Sequence, residues 1–155
     1  MKPLRGNLHR RQRGTAVIEA IVVSPLLLFL LILTAEVTNA FVAHNTLTKA
    51  VRNGARYVAA NAYGGTSGVI NLTPQLLIEA RNLVVFGTTS ATSTPVLPGL
   101  TVADVQVTDA GGDNISVTAT YAYTGILGGT LPTFGFGANA NLTHNLRATV
   151  MMRAL

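Results

Sequence analysis

Side chains that commonly carry out chemistry are few in this chain and far apart. The three histidines are His9, His44 and His144, there is no cysteine, and no two histidines have metal-ligand spacing. No Ser–His–acid or Cys–His arrangement can be assembled, and the glycine-rich residues 125–137 lack the Lys-Ser/Thr of a phosphate-binding loop. The acids of residues 109–114 indicate a hairpin turn, because they are too few for an EF-hand calcium loop. We therefore predict no enzyme, no catalytic residue, no metal site and no cofactor.

One acid, Glu19, stands in an unusual setting. It lies near the start of an apolar stretch and follows Gly14 by five residues, with a basic segment just before that glycine. A carboxylate in the first turns of a membrane helix is costly and usually persists because a partner satisfies it. Two interpretations are open: Glu19 pairs with a cation of a neighbouring subunit, or it reaches back to the membrane surface near its own helix N-terminus.

A proline, Pro25, interrupts the same apolar stretch. Within a helix, proline removes a backbone hydrogen bond and usually kinks or loosens the rod. We predict a helix kink at this position. The alternative is a proline that a membrane helix tolerates without any special role.

Three bases farther along, Lys49, Arg52 and Arg56, fall on one face of a helix. They are candidate contacts for lipid head groups, or for an acid of a neighbouring subunit such as Glu36 or Glu79. The alternative is a solvated basic face just above the membrane.

The distribution of charge argues against nucleic acid as a partner. The formal net charge is +5, and the bases before residue 15 account for it: Lys2, Arg5, Arg10, Arg11 and Arg13. The rest of the chain carries as many acids as bases. The positive charge therefore describes an N-terminal leader and not a binding surface.

The elements that position these residues begin with a membrane-spanning segment. Residues 15–35 are mostly Leu, Ile, Val and Phe, and as a helix they would be about 31 Å long, which matches a bilayer core. The preceding bases place the N-terminus in the cytoplasm. We predict a single-pass protein with a leader at residues 1–14 and everything after residue 35 on the outer side.

The helix should continue beyond the membrane. Residues 36–62 contain no proline and one glycine, and apolar or small side chains recur at helical spacing up to the Gly64-Gly65 pair. We predict a helix from Thr15 to Ala62, with residues 36–63 as its extracytoplasmic part.

Residues 64–155 should form a small head. Thr73-Pro74 is typical of a helix start, and Gly87 of its end. Apolar alternation then predicts three antiparallel strands, with these inward positions: Ala103, Val105, Val107; Ile115, Val117, Ala119, Tyr121, Tyr123; Leu142, Leu146, Ala148, Val150, Met152. Residues 125–137 should be a connection. The predicted fold class is α+β, a long N-terminal helix whose first half spans the membrane, with a head of one short helix and a three-stranded antiparallel sheet.

The segment from Arg11 to Ala20, RQRGTAVIEA, resembles the processing site of bacterial type IV prepilins. That resemblance implies that a membrane aspartyl prepilin peptidase cleaves between Gly14 and Thr15 and leaves Glu19 as the fifth mature residue. The new ammonium of Thr15 on a neighbouring subunit would then be the partner of Glu19 and would set the axial register of packed helices.

The longer pattern is similar to TadE-like pseudopilins of tight-adherence (Flp, type IVb) pili. The similarity rests on GTAVIEA at residues 14–20, on SPLLL at residues 24–28 and on AVRNGARY at residues 50–57. Major Flp pilins usually have Tyr after the glutamate, whereas this chain has Ala20, and it is much longer than those subunits. The resemblance therefore implies a minor subunit that helps assemble a pilus for surface attachment.

The partners that follow from this resemblance are the prepilin peptidase, other pilin and pseudopilin subunits, the inner-membrane assembly machinery and membrane lipid. A rival hypothesis is a secreted or signal-anchored binding module with an ordinary signal peptide cleaved near Ala40 or Ala43. A third is an uncleaved anchor carrying an unrelated enzymatic head. Prepilin processing keeps the apolar helix on the mature chain, whereas secretory processing removes it.

Overall fold

The computed structural model describes residues 8–63, 69–91, 94–126, 128–131 and 137–155. Within these ranges, two helices and five strands follow one another, with a short 3-10 turn at Val102–Asp104. The elements are α1 (Leu8–Asn61), α2 (Pro74–Phe86), β1 (Val105–Gly111), β2 (Asn114–Tyr123), β3 (Thr130–Leu131), β4 (Ala140–Asn141) and β5 (His144–Arg153). The predicted α+β class is confirmed.

The long helix α1 contains 54 residues and starts earlier than predicted, at Leu8 and not at Thr15. Residues 8–13 contain Leu, Arg and Gln, which have good helix propensity, and no proline. The apolar stretch alone therefore did not define the helix start. At its other end α1 stops at Asn61, one residue before the predicted position.

The second helix, α2, has the predicted boundaries. The Thr73 hydroxyl accepts a hydrogen bond from the Leu76 amide at 3.3 Å, and Pro74 occupies the first turn. At the C-terminal end Gly87 adopts a left-handed conformation with φ of 75°, and its amide donates to the Leu83 carbonyl.

The three-stranded sheet has the order β1-β2-β5, and both pairings are antiparallel. Val117 at its centre lies opposite Val107 on one side and Val150 on the other. A tight turn joins β1 to β2, with positive φ at both Gly112 and Asp113, as a two-residue hairpin turn requires. The hairpin predicted for residues 109–114 is confirmed.

Three details of the head differ from the prediction. Ala103 lies in the 3-10 turn and is exposed, and Leu142 lies just before β5. The connection after β2 also contains a short ribbon, β3 paired with β4, which was not predicted. Strands of two residues have too little alternation to be recognised in a sequence.

One hydrophobic core joins the outer half of α1, α2 and the inner face of the sheet. Its largest fully buried side chains are Leu47, Leu100, Ile115, Val51, Val58, Val84, Val85, Val105 and Val117. Gly54 lets the helices approach closely, because a Cβ there would run into the Val84 side chain. At the end of the chain, the Leu155 amide donates to the Ala59 carbonyl of α1 at 2.9 Å. The long helix is therefore both the membrane-length rod and the central element of the head.

Candidate membrane anchor and assembly surface

The N-terminal part of α1 has no packing partner within the described part of the chain. Its most apolar 18-residue window has a mean hydropathy of 2.7, and none of that window is buried. The exposed large apolar side chains here are Val17, Ile18, Ile21, Val22, Val23, Leu26, Leu27, Leu28, Leu30 and Leu31. An apolar helix exposed on all sides is typical of a membrane span. The chain thus has an N-terminal helix that is long and apolar enough to cross a membrane.

The predicted processing residues lie at the exposed start of this apolar stretch. Gly14, Thr15 and Glu19 all belong to α1 and are exposed. The five residues from Gly14 to Glu19 correspond to about 7.5 Å along the helix axis. Among the described residues, no side chain of the head approaches Glu19 to form a hydrogen bond or an ion pair.

The structure shows how α1 continues through Pro25. Proline has no amide hydrogen, so the carbonyl of Ile21 loses its usual helical donor. The hydroxyl of Ser24 lies 3.4 Å from that carbonyl oxygen and donates to it. Such side-chain compensation is how proline is accommodated in membrane helices. Sequence reasoning placed Pro25 in the helix but did not identify this role for its neighbour.

The most unusual polar group among the described residues is Glu36, the first residue after the apolar segment. It is only 4% exposed although it lies on the long helix. The Tyr123 hydroxyl donates to one carboxylate oxygen at 3.0 Å, and the Ile126 amide donates to the other at 3.1 Å. Burying a carboxylate is tolerable only when its oxygens are satisfied in this way. Through these two hydrogen bonds Glu36 connects the end of β2 to α1.

The surroundings of Glu36 also shape its partner and the adjacent loop. Burial, followed by the hydrogen bond to Glu36, raises the pKa of Tyr123 above its usual 10.0, while a hydrogen bond with Asn39 opposes this shift. Gly125 passes so close to Glu36 that a Cβ would collide with the carboxylate. A glycine is needed there because the backbone itself packs on the acid.

The basic residues Lys49, Arg52 and Arg56 lie on α1 at the level of the head, and all three are exposed. The acids considered as their partners on a neighbouring subunit have partners within their own chain. Glu36 is buried, so a neighbouring arginine cannot reach it. Glu79 accepts hydrogen bonds at 2.6 Å from both Tyr57 and Gln75. The accessibility of the three bases fits a solvated basic face and leaves them open to lipid or to a different acid.

The Tyr57–Glu79 contact joins α1 to α2 and shifts the titration of both groups. The hydrogen bond to Glu79 raises the pKa of Tyr57 above 10.0. The bonds from Tyr57 and then Gln75 lower the pKa of Glu79 below 4.5, because they favour its charged form.

The structure brings no catalytic or metal-binding constellation together in the regions it describes. Among those residues, no group of three or more His, Asp or Glu side chains could hold a metal ion. His44 is half-buried on α1, whereas His144 is exposed with its ring 5.2 Å from that of Tyr123. Asp109 accepts a hydrogen bond from the Gly111 amide within the hairpin turn.

Residues 14–56 match the protein-family model described as TadE-like protein. This region of the chain is TadE-like. The match runs from the predicted processing site to the last residue of the basic face, and so includes Gly14, Thr15, Glu19, Pro25, Lys49, Arg52 and Arg56. The resemblance inferred from the sequence is confirmed. No curated protein and no solved structure matches the chain.

The TadE-like region ends where the head's own elements begin. Its model covers the apolar part of α1 and most of the outer part, but not α2 or the sheet. The TadE-like family is pilus-related and structural rather than enzymatic. The part of this chain that matches the family, residues 14–56, contains the N-terminal hydrophobic helix suited to membrane anchoring.

Proposed function

We propose that this chain is a minor pilin or pseudopilin that a prepilin peptidase cleaves and that takes part in assembling a tight-adherence (type IVb) pilus for surface attachment. The observation that carries the proposal is the exposed apolar segment of α1, which begins directly after Gly14, contains Glu19 and lies within the TadE-like match. The partners are the peptidase, other pilin subunits, the inner-membrane assembly machinery and lipid.

In this proposal each part of the chain has a separate role. Residues 1–14 are the cytoplasmic basic leader, residues 15–35 span the inner membrane, residues 36–63 continue the helix outside, and residues 64–155 form the head. The bases that precede the span and the long uncharged stretch within it support this orientation. The outer face of α1, with Lys49, Arg52 and Arg56, is available to lipid or to neighbouring subunits.

Cleavage after Gly14 requires the backbone to leave the helix at the cut. Gly14 is within α1, and glycine costs about 1 kcal/mol more than alanine in a helix interior, which weakens the rod at that point. Glu19 then lies one to two turns from the new N-terminus. Its exposed carboxylate is placed to receive the ammonium of a neighbouring Thr15, which would fix the axial register of the two helices.

The structure also bears on the secretory alternative. Cleavage after Ala40 or Ala43 would cut α1 within the head and remove Glu36 from Tyr123 and the Ile126 amide. A buried hydroxyl that loses its acceptor is destabilising by about 1–3 kcal/mol. The mature chain is therefore more stable when the apolar helix stays attached, as prepilin processing leaves it.

The mature N-terminus tests this proposal directly. Mass spectrometry of the membrane fraction should find a chain that begins at Thr15 in cells with the cognate peptidase, and one that begins at Met1 in cells without it. The Gly14→Leu variant should stay uncleaved. A mature chain that begins near Phe41, or at Met1 in both strains, would refute the proposal.

The role of Glu19 needs a second measurement. The Glu19→Gln variant should be cleaved normally but should be strongly depleted from sheared pili relative to the membrane fraction. Asp113→Asn is a matched control, because it also replaces one carboxylate by an amide but in an exposed turn of the head, away from the helix start. If Glu19→Gln enters pili as well as the control does, the assembly role assigned to its carboxylate is wrong.

A further inference from the structure

The chain turns sharply after β2, and this turn lies against α1. Gly125 passes over the Glu36 carboxylate, and the next amide, that of Ile126, donates to it at 3.1 Å. The side chain of Ile126 nevertheless points outward and is 61% exposed. The turn formed by Gly125 and Ile126 is therefore held firmly by its backbone while it presents an apolar side chain to the surroundings.

The position of this turn along α1 fixes its depth, on the assumption of the membrane anchor proposed above. Residues 15–35 span about 31 Å as helix, so Glu36 lies at the outer boundary of the hydrocarbon core. Because Ile126 is hydrogen-bonded to Glu36, it lies at the same level. The turn belongs to the head in sequence but lies at the membrane boundary in space.

The chemistry of the surroundings fits the interfacial zone of a bilayer. Residues 125–126 and 128–131, which the structure describes, contain no charged side chain. On α1 the exposed residues just above Glu36 include two large apolar ones, with Val37 at 63% and Phe41 at 66% exposure. Along α1 the first lysine or arginine beyond Glu36 is Lys49, about 20 Å farther from the boundary. An exposed isoleucine gains free energy when it leaves water for the acyl–headgroup region.

We propose that the Gly125–Ile126 turn contacts the outer leaflet of the membrane, so that the head has a second lipid contact beside its transmembrane helix. Two contacts at different positions around α1 restrict rotation and tilt of the head relative to the bilayer. Glu36 acts as a positioning residue, because its carboxylate holds the turn against α1 at the boundary. The occupant is lipid, since the turn is continuous with the predicted span.

The chain has no tryptophan and no cysteine, so a single introduced probe reports one position. The full chain would be reconstituted into vesicles of phosphatidylethanolamine and phosphatidylglycerol, with lipids that carry a nitroxide quencher high on the acyl chain. Three variants are compared: Ile126→Trp, Ile78→Trp and Leu27→Trp. Ile78 is the matched control because it is also an isoleucine, it is 52% exposed, and it adjoins Glu79, which contacts Tyr57.

Tyr57 lies twenty-one residues beyond Glu36 on the same helix, so Ile78 is roughly 30 Å farther from the membrane boundary. Fluorescence of the Ile126→Trp variant should therefore be quenched roughly threefold or more above that of the Ile78→Trp variant. Adding Glu36→Ala to Ile126→Trp should reduce the quenching towards the Ile78→Trp value. A structural defect elsewhere in the head would not specifically lower the quenching of the tryptophan at position 126.

The variants separate failure of this inference from failure of the proposed anchor. If the Leu27→Trp variant is quenched but the Ile126→Trp and Ile78→Trp variants are equally unquenched, the turn does not contact lipid and the inference is overturned. If the Leu27→Trp variant is not quenched, the anchor itself is refuted.

Should Ile126→Trp prevent folding, Ile126→Cys replaces it. That thiol should react several-fold more slowly with a water-soluble maleimide in vesicles than in detergent, whereas Ile78→Cys should react equally in both; equal rates for Ile126→Cys would overturn the inference.

Discussion

The hydrogen bond between Tyr123 and Glu36 offers the sharpest test of how the head is joined to α1. It is 3.0 Å long, buried, and made to a carboxylate. Hydrogen bonds to charged groups contribute about 1.5–3 kcal/mol to the stability of a fold. Without the bond from Tyr123, the Glu36 carboxylate would keep the hydrogen bond from the Ile126 amide to its other oxygen. We therefore predict that Tyr123→Phe lowers the free energy of unfolding of the head by about 1.5–3 kcal/mol.

The neighbouring tyrosine on the same face of β2 provides the control. Tyr121 is also buried, and its hydroxyl donates at 3.0 Å to a backbone carbonyl, that of Pro98. The acceptor is neutral, so Tyr121→Phe should cost only about 0.5–1.5 kcal/mol. The two substitutions remove the same atom from the same kind of residue, and they differ in the charge of the acceptor.

The assay uses urea unfolding of the full chain in a mild detergent, followed by near-ultraviolet circular dichroism. All four tyrosines lie at or beyond residue 57, and there is no tryptophan, so the tyrosine band of the spectrum reports the head and not the apolar helix. A double-mutant cycle with Glu36→Gln should give a coupling energy of about 1 kcal/mol or more between positions 36 and 123. A Tyr123→Phe cost no larger than that of Tyr121→Phe, with coupling near zero, would refute this account of the contact.

Two further predictions concern the packing of α1 on α2. Gly54→Ala should destabilise the head by up to about 2 kcal/mol, because overpacking against Val84 outweighs the gain in helix propensity. Val84→Ala should therefore lower the free energy of unfolding less in the Gly54→Ala variant than in the parent chain. Equal losses in the two chains would contradict this. The lowered pKa of Glu79 means that its contribution to stability is present above its ordinary pKa of 4.5 and is lost as the pH falls through the lower folded-state value. Urea midpoints at pH 7 and below pH 4.5 should therefore differ less in Tyr57→Phe than in the parent chain, whereas an unchanged difference would show that the bond from Tyr57 does not cause the shift.

Much of this fold could be predicted because its signals are local. The Thr73-Pro74 start and the Gly87 end of α2 are determined by backbone chemistry within a few residues. The alternation along β2 follows from one face being buried and the other open, which appears directly as a period of two. The candidate processing and assembly residues were likewise recognisable, since Gly14 and Glu19 lie in one contiguous segment.

The site around Glu36 could not be predicted, because it depends on contacts between distant parts of the chain. Glu36 and Tyr123 are separated by 87 positions, and no pattern near either one indicates the other. In the sequence Glu36 is simply an acid that ends an apolar run, so a solvent-exposed position was the natural interpretation. The one available signal was Gly125, two residues after a strand with two inward tyrosines, but glycine is common in loops of every kind and does not by itself indicate a close contact.

The arrangement around Glu36 has a consequence for how an anchor and a head can share one helix. On one face, α1 supplies core residues from Ala43 through Ala59, while its opposite face stays exposed from the apolar segment up to Arg56. The head therefore covers only one side of the rod and leaves the other side available for lateral packing along its whole length. A buried acid at the point where the head begins prevents the head from sliding along α1, since any shift would break both of its hydrogen bonds. Forces transmitted through the helix would thus reach the sheet directly, as the proposed assembly of this subunit into a pilus would require.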